Sequence, residues 1–355
     1  MWMPRQICHT VILEGVIALA TRIGISGFGA IGRRVARVIL AGRAGVELVA
    51  VNDLPPAASL AHLFKYDTTY GTFEGGVEAE GEDALIIAGQ RLRLFHIADP
   101  AQIPWKDAGV DVVLECTGHF TDREGAAKHL AAGARKVIIS APGKDADATL
   151  VMGVNERDYD PAKHDVISNG SCTTNCLVPV VKVLEDTFGI EALLMSTTHA
   201  YTGTEPLLDR AGGKDPRKAR AAAQNIIPTT TGAAKAVFEV FPHMKGRVTG
   251  LALRVPVHSV SILDVSVQLK GAATAGELNE AFRKAAAGPL MGILDVCDEP
   301  LVSSDFRGSA FSAIVDAGLT QTAGALAKVM AWYDNEWGYS NRLAEMAAFV
   351  GRHLS

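Results

Sequence analysis

Three glycines constrain this chain more than any other feature. Gly27-Phe28-Gly29-Ala30-Ile31-Gly32 stands between an apolar segment, 22–26, and a run of helical character, 33–40, and Asp53 follows 21 residues after Gly32. A bare GxGxxG is weak evidence, but between strand and helix, with an acid at that distance, it marks a dinucleotide-binding βαβ unit. The glycines let the turn approach a pyrophosphate, the helix N-terminus favours its charge, and Asp53 is placed to accept hydrogen bonds from an adenosine ribose. A carboxylate there would repel a 2′-phosphate, so NAD is expected in preference to NADP.

Residues 46–51, 110–116 and 136–140 read as further largely apolar strands, with a helix over 126–134. Such alternation builds a mostly parallel sheet. Lys144 reads as a solvated lysine. A chain of 355 residues has room for two cores, and 48% hydrophobic with 21% charged content is that of a globular protein in water. The net charge of -5 argues against a dedicated nucleic-acid partner. The apolar run 11–20 is broken by Glu14 and Gly15 and is too short to span a bilayer, so residues 1–20 are expected to be an irregular extension and no membrane partner is expected. Five cysteines (Cys8, Cys116, Cys172, Cys176 and Cys297) form no C-x-x-C pair and no secreted framework, which fits a reducing cytoplasm; no metal ligands are assigned.

The second constraint is chemical. Ser168-Asn169-Gly170-Ser171-Cys172-Thr173-Thr174-Asn175-Cys176 sets Cys172 among short polar residues, just ahead of the mostly apolar run 177–184. Ser171 suits an N-cap, which would put the Cys172 thiol near free N–H groups and the positive end of a helix dipole, favouring thiolate. The dipole supplies at most about 2 kcal/mol, so a histidine is expected to help. A strand over 192–198 delivers His199 beside Tyr201 and Thr202. A Cys172–His199 pair would activate the thiol and later take a proton from an alcohol. These residues alone leave open an ordinary buried cysteine in a capped helix.

Lys214, Arg217, Lys218 and Arg220 make 214–223 basic, and Thr229-Thr230-Thr231-Gly232 precedes a helical run, 233–241. Together they suit phosphate oxygens, and equally a solvated basic face. Arg254 lies in an apolar strand, 251–257, and if buried needs a carboxylate or a bound phosphate. Partial alternation over 259–269 turns toward an antiparallel or mixed sheet. The expected fold class is an α/β Rossmann NAD-binding domain plus an α+β catalytic domain with a mostly antiparallel or mixed sheet. Helices are expected over 277–287 and 341–354, and Asn335, in an aromatic turn, suits an amide ligand such as nicotinamide.

From about Thr21 to Leu354 the chain resembles phosphorylating glyceraldehyde-3-phosphate dehydrogenases. The resemblance is carried by the glycine turn with Arg33, Asn52-Asp53, 171–175, His199-Ala200-Tyr201-Thr202, Thr229-Thr230-Thr231-Gly232, Arg254-Val255-Pro256 and 332–336. It implies an NAD-binding domain over 21–170, a catalytic domain over 171–335, a C-terminal helix over 336–355 returning to the first domain, and a homotetramer in the cytoplasm. It also implies oxidation of glyceraldehyde 3-phosphate through a Cys172 thioester that inorganic phosphate cleaves, with His199 as base, a step of glycolysis and gluconeogenesis. Gly27, Phe28, Gly29, Ala30, Ile31, Asp53 and Asn335 would hold NAD. Ser171, Thr173, Thr202, Lys218, Thr231, Gly232 and Arg254 would hold the two phosphates. The resemblance is shared by erythrose-4-phosphate dehydrogenase, which releases its acid by hydrolysis, and a nonenzymatic NAD-binding interaction protein is the alternative of another class.

Three departures from the family pattern stand out. Ala30 replaces a usual arginine and Ser26 a usual asparagine, which reduces contacts on the adenosine side. Lys218 stands where many members carry arginine, keeping the charge but losing the bidentate fork. Arg210-Ala211 replaces leucine and proline in a loop that reaches a neighbouring subunit's cofactor, and Arg210 would offset Asp53 and admit some NADP.

Overall fold

The computed structural model describes residues 20–354 apart from 43 and 212–214. The expected extension 1–19, with Cys8, and the basic Lys214 lie outside the described residues.

Among the described residues the first sheet has nine strands. Strand β1 (Thr21–Ser26) pairs in parallel with β2 (Val46–Asn52) on one side and with Val112–Glu115 on the other. Lys136–Ile139, Val166–Ser168 and Ala148–Thr149 continue the parallel order outward. Beyond β2 the strand Gln90–Phe95 is parallel, and Ala84–Ile87 and Val77–Glu80 close that edge in antiparallel fashion. Ile23, Ile25, Val112, Val113, Leu114 and Val137 are fully buried. Parallel strands covered on both faces need such continuous apolar runs, which is why these segments were readable. The antiparallel edge was not foreseen: its residues alternate with charges, as in Glu78, Glu80, Arg91 and Arg93.

The second sheet runs Ile227–Thr230, Val248–Val255, Ile190–Ala200, Ser261–Leu269, Leu326–Tyr333, Ala313–Asp316, Leu294–Cys297. Ile190–Ala200 is parallel to Val248–Val255 and antiparallel to Ser261–Leu269, so the sheet is mixed, as expected. In Ser261–Leu269 every second residue is buried. That face packs with the helices Cys172–Phe188 and Ala275–Ala287 into one core including Leu177, Val181, Leu263, Val265, Leu278 and Phe282.

The last helix differs from the sequence expectation of 341–354: it spans Trp337–Gly351, beginning four residues earlier. Asp334 Oδ1 accepts the N–H groups of Glu336 and Trp337 at 3.0 and 2.9 Å, giving the chain a place to turn into helix within the aromatic stretch. This helix buries Leu343, Met346 and Val350 in the first sheet's core, at about 1.5–3 kcal/mol each. At Gly351 a Cβ would come within 2.1 Å of Thr21 Oγ1, so a larger residue would push the helix off β1. Among the described residues no helix is long and apolar enough to cross a membrane.

Candidate active site

The glycine turn joins β1 to helix α1 (Ala30–Leu40). Gly27 has φ +90°, and a Cβ there would lie 2.6 Å from the Thr117 nitrogen. At Gly32 a Cβ would meet the Gly27 carbonyl oxygen at 2.0 Å, so the helix can approach the glycine turn only because Gly32 lacks a side chain. Gly29 is different: a Cβ there would have nothing within 4 Å. Open space lies beside it, and α1 starts with no side chain capping its first N–H groups. An uncapped helix start beside an open glycine fits the pyrophosphate of a dinucleotide.

Asp53 is partly committed to the turn itself. Its Oδ2 accepts the Phe28 N–H at 2.6 Å and its Oδ1 the Leu54 N–H at 2.8 Å. Each oxygen keeps a further lone pair for a ribose hydroxyl. Phe28 offers only backbone, because its ring is buried and stacked on Phe64 at 5.7 Å between centroids. Ala30 is exposed at the crevice and Ile31 half-buried.

Cys172 is the first residue of the helix Cys172–Phe188, and Ser171 is its N-cap, accepting the Thr174 N–H at 3.0 Å. From the neighbouring sheet the strand Ile190–Ala200 carries His199 to its end, where Nε2 lies 3.3 Å from Cys172 Sγ. His199 Nδ1 lies 2.7 Å from the Ala200 carbonyl, which only accepts, and 3.1 Å from Arg254 Nη1, which only donates; the shorter carbonyl contact places the ring hydrogen on Nδ1 and leaves Nε2 as the acceptor facing the sulfur. The next strand places Arg254 opposite His199 in register. Arg254 Nη1 donates to that same carbonyl at 3.1 Å and to Thr202 Oγ1 at 3.4 Å. Its buried partner is a carboxylate, Glu205, at 3.8 Å. Arg254 Nε is buried with no protein acceptor, so the guanidinium retains a donor for an anion.

The electrostatics correct one expectation. Burial pushes the Cys172 thiol up, outweighing the Arg254 charge and the Thr173 hydrogen bonds that favour thiolate. Burial, with help from the Arg254 charge, pushes His199 down to about 3. Each group alone therefore resists charge. At 3.3 Å an imidazolium would stabilise a thiolate and the reverse, so the two change charge as a pair, by passing one proton between them.

Behind the dyad, Tyr333 Oη bridges Thr197 Oγ1 at 2.7 Å and Thr173 Oγ1 at 3.1 Å, and its ring meets His199 edge-on. Thr173 is thus a buried prop as much as a wall residue. Asn335 Oδ1 accepts from Ser261 Oγ at 3.2 Å, and Ser261 Oγ in turn accepts the Ala200 N–H, so the amide is tied to the strand that delivers His199. Thr231 Oγ1 and Gly232 stand at the start of the helix Ala233–Val240, which has no side-chain cap bond at Gly232. Lys218 lies in the turn Pro216–Ala219, whose Asp215 accepts from Thr229 on the neighbouring strand at 3.3 Å. Cys176 is buried and packs in the core.

Sequence reasoning missed Glu205, Tyr333 and Asp334. Asp334 receives Tyr70 Oη at 2.7 Å and the Gly308 N–H at 2.8 Å, from segments far apart in the chain. Only the fold makes those partners neighbours. Thr202-Gly203-Thr204-Glu205 held a local signal, since Glu205 accepts from Thr202 and Thr204.

The profile described as glyceraldehyde 3-phosphate dehydrogenase, NAD binding domain, matches residues 21–123, and the one described as the C-terminal domain matches residues 171–335. Glyceraldehyde-3-phosphate dehydrogenase 2 of Streptomyces avermitilis is 50% identical over 337 residues, 95% of this chain and all of the relative. Glyceraldehyde-3-phosphate dehydrogenase 1 of Bacillus subtilis is 51% identical over 335 residues, 94% and 99% of the two chains. A chloroplastic glyceraldehyde-3-phosphate dehydrogenase of Arabidopsis thaliana is 49% identical over 344 residues, 96% of this chain and 86% of the relative. Both family profiles, with relatives about half identical along nearly the whole chain, place this protein in the glyceraldehyde-3-phosphate dehydrogenase family of NAD-dependent oxidoreductases.

Proposed function

We propose that this enzyme oxidises D-glyceraldehyde 3-phosphate with NAD and inorganic phosphate to 1,3-bisphosphoglycerate. The observation that carries the reading is the 3.3 Å contact between Cys172 Sγ and a His199 Nε2 left bare by the Nδ1 bond to Ala200. Cys172 Sγ adds to the aldehyde carbon as its proton passes to His199. The resulting hemithioacetal oxygen lies near the helix start, where the Cys172 backbone N–H and the imidazole stabilise its charge. His199 hands that proton to the hemithioacetal oxygen, and its Nε2 then takes it back from the hydroxyl while the carbon loses its hydrogen with the bonding electron pair. NAD, when bound, supplies the two-electron acceptor for that oxidation. The thioester left on Cys172 is then opened by a phosphate oxygen, which restores the thiolate.

Arg254, with its unpaired Nε, Thr202 and Lys218 are assigned to phosphate oxygens, together with Ser171, Thr173, Thr231 and Gly232. Gly27, Phe28, Gly29, Ala30, Ile31 and Asp53 are assigned to the adenosine and pyrophosphate, and Asn335 to the nicotinamide amide. NAD is the expected cofactor, and Arg210, exposed in its loop, is the residue that would admit some NADP. The domain limits proposed are 21–170 and 171–335, with 336–355 returning to the first. A homotetramer is supported by apolar Leu194 and Leu251, left exposed together on the outer face of the mixed sheet. The cytoplasm is the proposed location, on the cysteine pattern.

Steady-state rates with glyceraldehyde 3-phosphate and erythrose 4-phosphate, each with NAD or NADP and with or without phosphate, test the reading. Fast NAD reduction with the triose phosphate, strongly dependent on phosphate, is expected. Equal rates without phosphate would sink the phosphorylating assignment.

A further inference from the structure

A second buried histidine sits behind the dinucleotide crevice. His129, on the helix Arg123–Ala131, is fully buried between Trp105 and Glu115, and both of these are buried too. Trp105 Nε1 lies 2.9 Å from His129 Nδ1, and His129 Nε2 lies 3.0 Å from Glu115 Oε2. An indole N–H can only donate, so Nδ1 is the acceptor and the ring proton must sit on Nε2, directed at the carboxylate. Glu115 Oε1 in turn accepts the Thr117 N–H at 2.8 Å and the Thr117 hydroxyl, and that hydroxyl accepts the His119 N–H at 3.0 Å.

The chain of bonds ends at a wall of the crevice. Thr117 and Gly118 follow the parallel strand Val112–Glu115, next to β1, at the carboxyl end where ligands of such sheets bind. The backbone of Cys116 and Thr117 is what a Cβ on Gly27 would strike, at 2.7 and 2.6 Å. The Thr117 turn and the glycine turn therefore share one surface, and Glu115 fixes the first while Gly27 moulds the second against it.

We infer that His129 and Trp105 are positioning residues for NAD, acting through Glu115 on the Thr117–Gly118 turn. The inference rests on NAD binding at the glycine turn. Loss of the His129 donor would leave Glu115 with one oxygen unpaired in the core, and the carboxylate would swing away from Thr117 to seek a new donor. Neither residue touches the Cys172–His199 chemistry, so the effect should fall on cofactor affinity alone.

The test is direct titration of the intact enzyme with NAD, alongside steady-state kinetics. His129→Leu is expected to weaken NAD binding about tenfold, the equivalent of one net hydrogen bond. At saturating NAD its kcat and its KM for the aldehyde should stay within about twofold of wild type, whereas a merely destabilised fold would lower kcat and leave the NAD KM alone. His129→Gln keeps a donor toward Glu115 and should recover affinity to within about threefold. Thr117→Val removes the hydroxyl at the far end without opening the core, and decides the matter should His129→Leu not fold; it too should weaken NAD several-fold. Unchanged NAD affinity in the folded variants, with wild type binding normally, overturns the relay and leaves the cofactor assignment standing. Failure of wild type to bind NAD would overturn both.

Discussion

The catalytic site on the mixed sheet and the buried triad on the parallel sheet each hold one histidine, in opposite protonation patterns. His199 Nδ1 gives its hydrogen to a carbonyl, so Nε2 is left bare before a sulfur. His129 Nδ1 receives a hydrogen from an indole, so Nε2 keeps its own and gives it to a carboxylate. Both rings are almost completely buried, at 3% and 0% exposure, so burial does not separate a base from a fixed strut. The partner of Nδ1 does. Where the nearest partner of Nδ1 is an acceptor, Nε2 is able to take a proton; where the nearest partner is a donor, it is not.

The largest expected effect breaks the catalytic side of this contrast at its sulfur. Cys172→Ser should lower aldehyde oxidation by about 10³-fold or more while NAD titrates normally, because the hydroxyl is a far weaker nucleophile at neutral pH. A variant of undiminished rate would end the covalent mechanism. His199→Asn should lower kcat by about 10²–10⁴-fold and leave a slow residual reaction, measured as NADH formed at saturating substrates. A loss confined to KM would instead assign the ring to binding.

A smaller effect separates the histidine through pH. His199 is held down to about 3, chiefly by burial, whereas the unfolded chain titrates near 6.5. Its contribution to stability is therefore complete above about pH 6.5 and is lost as pH falls toward 3, since the unfolded chain binds a proton that the folded one refuses. By pH 5 the loss is about 2 kcal/mol. Urea unfolding at pH 7 and pH 5 should show this drop in wild type, and His199→Asn should remove that share of it; an identical drop in both would show that His199 is not held neutral.

The smallest test sharpens the picture of what supports the dyad. Tyr333→Phe deletes the hydroxyl joining Thr173 and Thr197 and should cost about 1 kcal/mol of stability, with a modest loss of kcat. An unchanged unfolding midpoint would mean that the two threonines find each other, or water, without it.

Much of this molecule was legible because its determinants are local. Gly27, Gly29 and Gly32 reveal a tight strand–turn–helix by absence of side chains, and Ser171 caps the helix that it precedes by one residue. Continuous apolar runs identified the buried parallel strands, while Val77–Glu80 and Gln90–Phe95, with charges on their open face, gave no comparable pattern. The last helix was placed late because its start depends on Asp334, whose other partners are Tyr70 and Gly308.

The sequence by itself determined the elements, the nucleophile, the base and the dinucleotide turn, since each rests on residue type and short spacing. Tertiary structure alone decided where the protons sit. Which nitrogen of His199 or His129 carries hydrogen, and how strongly Cys172 resists ionising, follow from Ala200, Arg254, Trp105 and Glu115 and from the water they exclude. Hydrogen bonds act over about 3 Å, and only folding brings Arg254 to the Ala200 carbonyl, 54 residues away, within that reach.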